Sequence, residues 1–219
     1  MLKIKNTHFD FLNELKENNN REWFNENKER YLVIKKEIEL FWNHLFWELN
    51  SFDEFLQNPW EKSYMFRIYR DARFAKWKPY KTNYWLLISP WWKPMMHSKS
   101  WYFLNLEPGN SFLVWWIWRP ESSLLKSLRN SIDNNSTEIK KIINNKKLKE
   151  AFTLSWDKVK TAPRWYKKDH IDIELLKHKD FYVIHKFTDK EILSESFFKD
   201  LVWLCKVIYP LWKYLNMLK

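Results

Sequence analysis

The sequence predicts an α+β domain with an N-terminal helical hairpin, a central antiparallel sheet and C-terminal helices. Apolar residues recur every three, four or seven positions from Phe24 to Leu49, the period of one buried helical stripe. Four short apolar runs then follow with turn signals between them and no helix-length spacer, which favours an antiparallel meander over βαβ units. Beyond residue 120 the pattern is mainly helical again, interrupted by one strand-type run, 181–187.

Each element has its own signal. Thr7 and Asp10 have capping-box spacing before a short helix ending near Lys16. Asn19 and Glu22 open a longer helix whose stripe is Phe24, Tyr31, Ile34, Ile38, Phe41, Leu45 and Leu49. Strands are expected at 64–70, 84–89, 101–106 and 112–118. Glu107-Pro108-Gly109-Asn110 reads as the turn between the last two. Helices are expected at 121–133 and 137–152, then a loop over 161–172. Thr188 and Glu191 form a second capping box, opening C-terminal helices with a break near Pro210. The 219 residues suffice for one core, and nothing in them forces a second domain.

Glycine usage is abnormal. The chain has one glycine and sixteen tryptophans, where roughly fifteen glycines are expected from average composition. Glycine serves positions needing φ > 0 or close backbone approach. Tryptophan stands at such places here: in Pro90-Trp91-Trp92-Lys93-Pro94 between apolar runs, in Pro163-Arg164-Trp165-Tyr166, and in Leu154-Ser155-Trp156-Asp157.

The net charge of +11 is concentrated. Residues 60–100 hold nine Lys and Arg against two acids, and residues 139–170 hold ten against three. Such patches attract nucleic acid or phosphorylated ligands. Cys205 is the only cysteine and lies in an apolar stretch, so no disulfide framework or thiolate cluster is expected. The N-terminus lacks a signal-peptide core, and no apolar run approaches the roughly eighteen residues of a membrane span. The expectation is a cytoplasmic protein with no membrane partner.

The densest constellation is Arg67-x-x-Arg70-Asp71-x-Arg73, followed by Lys76, Lys78, Lys81 and Thr82. Clustered guanidiniums bind phosphate or carboxylate bidentately. In a strand over 64–70, Arg67 and Tyr69 share one face while Arg70 either ends the strand or is buried beside a carboxylate. The same charges also fit a structural network in which Asp71 and Glu107 pair with the arginines. Lys160-Thr161-Ala162-Pro163-Arg164-Trp165, read with glycine at 165, has the ingredients of an anion nest but not P-loop spacing. The two basic segments are candidates to meet across one groove.

Signals for catalysis are sparse. Glu107, His170 and Asp71 are the candidates for proton transfer, although a carboxylate among arginines is a poor general acid. His97, His170, His178 and His185 lack metal-ligand spacing, and neither a metal nor a cofactor is expected.

Asn18-Asn19-Asn20-Arg21-Glu22-Trp23-Phe24, Phe66-Arg67-Ile68-Tyr69-Arg70-Asp71-Ala72-Arg73-Phe74, Pro79-Tyr80-Lys81-Thr82-Asn83 and Leu106-Glu107-Pro108-Gly109-Asn110-Ser111-Phe112 together resemble one bacterial family, called domain of unknown function 2461. The resemblance spans nearly the whole chain. It implies glycine where this chain has Trp85, Trp91, Trp92, Trp101, Trp115, Trp116, Trp156 and Trp165, and an aromatic at Trp23 and Trp118. Some bacterial lineages read UGA as glycine and others as tryptophan, so a gene read with the wrong one of these codes would give this pattern. The abundance of Lys, Asn and Ile fits the AT-rich genome in which UGA is frequent.

Three functional readings follow. The first is binding of an anionic ligand, phosphate-containing or nucleic acid, through Arg67, Arg70, Arg73, Lys78, Lys81, Lys160 and Arg164. The second is an enzyme acting on a phosphorylated or carboxylated small molecule, with Glu107 or His170 moving the proton. The third is a structural or protein-interaction domain whose charges are solvated.

Overall fold

A computed structural model describes residues 3–56, 62–71, 73, 77–89, 101–117 and 120–218. The expected Pro90–Pro94 turn lies outside the described residues, as do Phe74, Lys76, His97 and Trp118.

The N-terminal layer is helical: α1 (Asn6–Glu17), α2 (Arg21–Glu26) and α3 (Lys28–Asn50). The expected Thr7–Asp10 capping box is not the one formed. The helix starts two residues earlier, with Lys5 at the N-cap, and the His8 ring accepts the Lys5 N–H at 3.4 Å. The second expected helix is divided at Asn27, and Asn20 rather than Asn19 caps it by accepting the Trp23 N–H (3.0 Å). The stripe from Phe24 to Leu49 is buried as expected.

Six antiparallel strands make one sheet: β1 (Lys62–Met65), β2 (Tyr84–Ser89), β3 (Trp101–Leu106), β4 (Ser111–Ile117), β5 (Thr153–Ser155) and β6 (Phe181–Phe187). Their spatial order is β1-β2-β3-β4-β6-β5. The first strand is shorter than expected. Pairing with β2 ends at Met65, and Tyr69 instead forms an isolated bridge with Tyr80. β5 has no sequence signal because three residues carry no period; its pairing with β6 defines it.

Between the strands lie α4 (Ser122–Asn134), α5 (Thr137–Ile143), α6 (Lys146–Ala151) and α7 (Ile173–Leu176). The expected 137–152 helix is split at Asn144 and Asn145, where the Asn145 side chain accepts the Leu148 N–H at 3.3 Å and restarts the helix. After β6, α8 (Asp189–Ile192) opens with the Thr188–Glu191 capping box. α9 (Phe197–Met217) then runs without interruption through Pro210. That proline faces outward, while Ile208, Leu211 and Trp212 are fully buried and hold the helix across it.

Strand alternation divides the core. Leu86, Ile88, Tyr102, Leu104, Leu113, Trp115 and Val183 face the helical layer, where Tyr102 stacks on Trp212 at 4.6 Å. Leu87, Trp101, Phe103 and Val114 form a smaller cluster on the opposite face, flanked by Phe66, Trp85 and Phe112.

Candidate anion-binding site

Two chain segments build the site by pairing just beyond the end of β1. The Arg70 N–H donates to Pro79 C=O and the Lys81 N–H to Ile68 C=O, both at 2.8 Å. Ile68 and Tyr80, 2% and 3% exposed, anchor the pair in the core. Phe24 of α2 stacks on Tyr80 at 4.0 Å and meets Tyr69 edge-on at 5.7 Å. Asn19, between α1 and α2, completes the clamp. Its Oδ1 accepts the Tyr80 N–H and its Nδ2 donates to Tyr80 C=O, each at 3.0 Å, as a strand partner would.

This frame turns its cations toward one depression of about 430 Å³. Arg67, Arg70, Lys81, Tyr69 and Trp85 line it, with Asp71, Thr82 and Asn83. Arg70 is neither at a strand end nor buried beside a carboxylate. Its Nε donates to Tyr80 C=O (2.8 Å), which turns it into the same depression as Arg67. The strand alternation that would separate these two side chains ends at Met65, so it does not reach them. Lys81 Nζ donates to Arg67 C=O at 3.0 Å and sits 4.5 Å above the Trp85 ring. Burial first, then Arg67 and Arg70, push the Lys81 ammonium below its usual lysine range.

The carboxylates do not neutralise these cations in the way the structural-network reading requires. Asp71 pairs with Arg73 through Oδ2–Nη2 (2.6 Å) and Oδ1–Nε (3.0 Å), which holds its carboxyl far below the usual range. Glu107 accepts from Asn110 Nδ2 (2.9 Å) and fixes its own turn, outside the depression. Among the described residues, the Arg67 side chain has no hydrogen bond or salt bridge.

The other candidates lie elsewhere. Lys78 is exposed but does not line the depression. Lys160 and Arg164 are exposed on the loop after β5, while the depression adjoins β2; β3, β4 and β6 separate these strands. The two basic segments therefore do not form one groove. His170 is held in a structural contact, its Nε2 2.9 Å from Asp133 Oδ1 and its Nδ1 accepting the Asp172 N–H at 2.9 Å. Asn19 and Asn83 escaped the sequence reading as site-forming residues, whereas Tyr69 shares the depression with Arg67. Asn19 lies within a motif of the resemblance, but its partner is 61 positions away.

No helix among the described residues is long and apolar enough to cross a membrane. The architecture is thus an α+β protein with a basic depression at one edge of its sheet. The family described as conserved hypothetical protein (DUF2461) matches residues 7–214, and the chain belongs to that family. No curated protein and no solved structure matches it.

Proposed function

We propose that the protein binds a phosphate- or carboxylate-bearing ligand in the depression formed by Arg67, Arg70 and Lys81. The convergence of Arg67, Arg70 and Lys81, with no hydrogen bond or salt bridge to the Arg67 side chain among the described residues, carries this reading. Like charges held together raise the free energy of the empty site, and an anion relieves it. Arg67 can offer a planar fork to an anion, and Lys81 adds a point charge. A volume of about 430 Å³ suits a small ligand.

Catalysis on the bound ligand is the second reading. Among the described residues Asp71 is the one carboxylate lining the depression, and its pairing with Arg73 disfavours a general-acid role. Binding without chemistry is therefore the preferred account. Salt dependence separates a small anion from nucleic acid. An oligonucleotide spanning Arg67, Lys78 and Lys81 loses affinity steeply with salt, whereas pyrophosphate in the depression loses less. Equal, weak and Arg67-independent binding of both would refute the site. The lone buried Cys205 fits a reducing, cytoplasmic setting.

We further propose that several of these tryptophans are glycines in the native protein. Trp165 supports this with φ 80°, the one positive φ at a non-glycine residue among those described. The buried indole N–H groups of Trp115 and Trp156 add to it, since neither has a hydrogen-bond partner among the described residues. Trp42, by contrast, donates to Leu87 C=O at 3.0 Å. Glycine at 85 would also remove the ring beneath Lys81 and deepen the anion site. UGA codons at these positions, with a glycine mass for the host's own protein, are the expected result; UGG codons and a tryptophan mass contradict it.

A further inference from the structure

A second concavity lies between α9 and the α5–α6 pair, away from the basic depression. Trp203, Val207, Pro210, Tyr214 and Met217 follow one another at three- or four-residue steps along one side of α9. Ile142 and Leu148 face them, and together they floor a groove of about 640 Å³. Trp203 and Met217 remain 47% and 58% exposed. From Trp203 to Met217 the helix rises about 21 Å, enough to lie alongside four turns of another helix. Six of these seven floor residues are not tryptophan, so the groove does not depend on the identity of position 203.

The rim is basic on both walls: Lys141 and Lys147 on one, Lys206 and Lys213 on the other. Lys213 is paired with Glu54 at 2.8 Å. Among the described residues, Lys141, Lys147 and Lys206 have no carboxylate partner, and Glu138 is the one acid in the lining. We propose that this groove docks an amphipathic helix of a partner protein, apolar on the buried stripe and acidic on both flanks. A rod fills a concave channel that a flat membrane cannot enter, and an apolar floor rewards a helix more than a nucleic acid. A second copy is disfavoured by net charge, since this chain carries +11 and its groove rim is already basic.

The test uses a designed helical peptide of four turns with a leucine stripe and glutamate flanks, read by fluorescence anisotropy. Its controls are a lysine-flanked version and a scrambled glutamate version without the stripe. The glutamate-flanked helix binds, both controls bind at least about tenfold more weakly, and raising salt weakens the complex. Lys141→Glu with Lys206→Glu lowers affinity by a further factor of about ten or more while the melting curve is retained. Absence of binding, equal binding of the lysine-flanked helix, or indifference to the charge reversal would overturn the proposal. So would sedimentation showing that the groove is occupied by a second copy, or capture of the protein by phosphatidylserine vesicles that is lost with the same substitutions.

Discussion

Gly109 and Trp165 occupy the same place in two turns of the same hydrogen-bond pattern. The Asn110 N–H closes one on Glu107 C=O at 3.0 Å, and the Tyr166 N–H closes the other on Pro163 C=O at 3.1 Å. The third residue has φ 72° in the first and 80° in the second, the value at which a turn calls for glycine. Trp165 bears this strain while its ring is 85% exposed, touched by the Arg164 guanidinium at 4.6 Å. Trp165→Gly is therefore expected to stabilise the protein by about 1 kcal/mol, the left-handed penalty less the lost ring contact. Urea unfolding measures it; a loss of stability would argue against the turn assignment.

Arg67 is exposed, its side chain makes no hydrogen bond or salt bridge among the described residues, and it raises the cost of protonating Lys81. Arg67→Ala should leave stability within about 0.5 kcal/mol of the parent. The Lys81 pKa should rise toward its ordinary value, which a titration followed by Lys side-chain NMR detects. A destabilised variant would mean that Arg67 serves the fold.

Asn19 bonds both the N–H and the C=O of buried Tyr80, sharing the carbonyl with Arg70. Asn19→Ala leaves an N–H donor there unpaired and is expected to cost about 2 kcal/mol or more. Anion affinity should fall with it, because Tyr80 also accepts from Arg70. Thermal melting and binding, measured together, check this coupling. Retained stability would show that water replaces Asn19.

Two buried groups act in opposite directions between about pH 4 and 6. Asp53 is wholly buried, accepting from Tyr102 Oη at 2.9 Å, and burial raises its carboxyl from 3.8 to about 6. Its folded form prefers the proton, so its contribution is present below pH 4 and lost as pH rises to 6. His178, packed edge-on to Trp156 and Phe181, is lowered by burial from 6.5 to about 4; its contribution is lost as pH falls through that range. Each slope is at most about 1.4 kcal/mol per pH unit, and they largely cancel. Asp53→Asn should unmask loss of stability on acidification and His178→Phe the reverse. Urea unfolding at pH 4, 5, 6 and 7 reads both; unchanged profiles would contradict the burial argument.

Local signals carried most of the fold. The Phe24–Leu49 stripe, the strands β2 to β4 and the Thr188–Glu191 capping box are written within a few residues, and the structure has them. What needed tertiary context was misread. Burial of Ile208, Leu211 and Trp212 carries α9 through Pro210, and β5 exists through its pairing with β6. At the site, Arg67, Arg70 and Lys81 stood out by charge density, and the structure brings them together. Lys160 and Arg164 carried the same charge signal, but sheet order separates β5 from β2, and sheet order has no local signature. Asn19 was hidden because its role depends on a partner 61 residues away.

The most direct test of the anion site is a calorimetric titration of the protein with pyrophosphate. The parent and Arg67→Ala/Lys81→Ala are compared at low salt, with Lys160→Ala/Arg164→Ala as a control of equal charge loss. The account predicts that the first pair lowers affinity at least about tenfold while the second leaves it nearly unchanged. Equal losses from both pairs, or no binding by the parent, would contradict a defined site and leave only a diffuse positive surface.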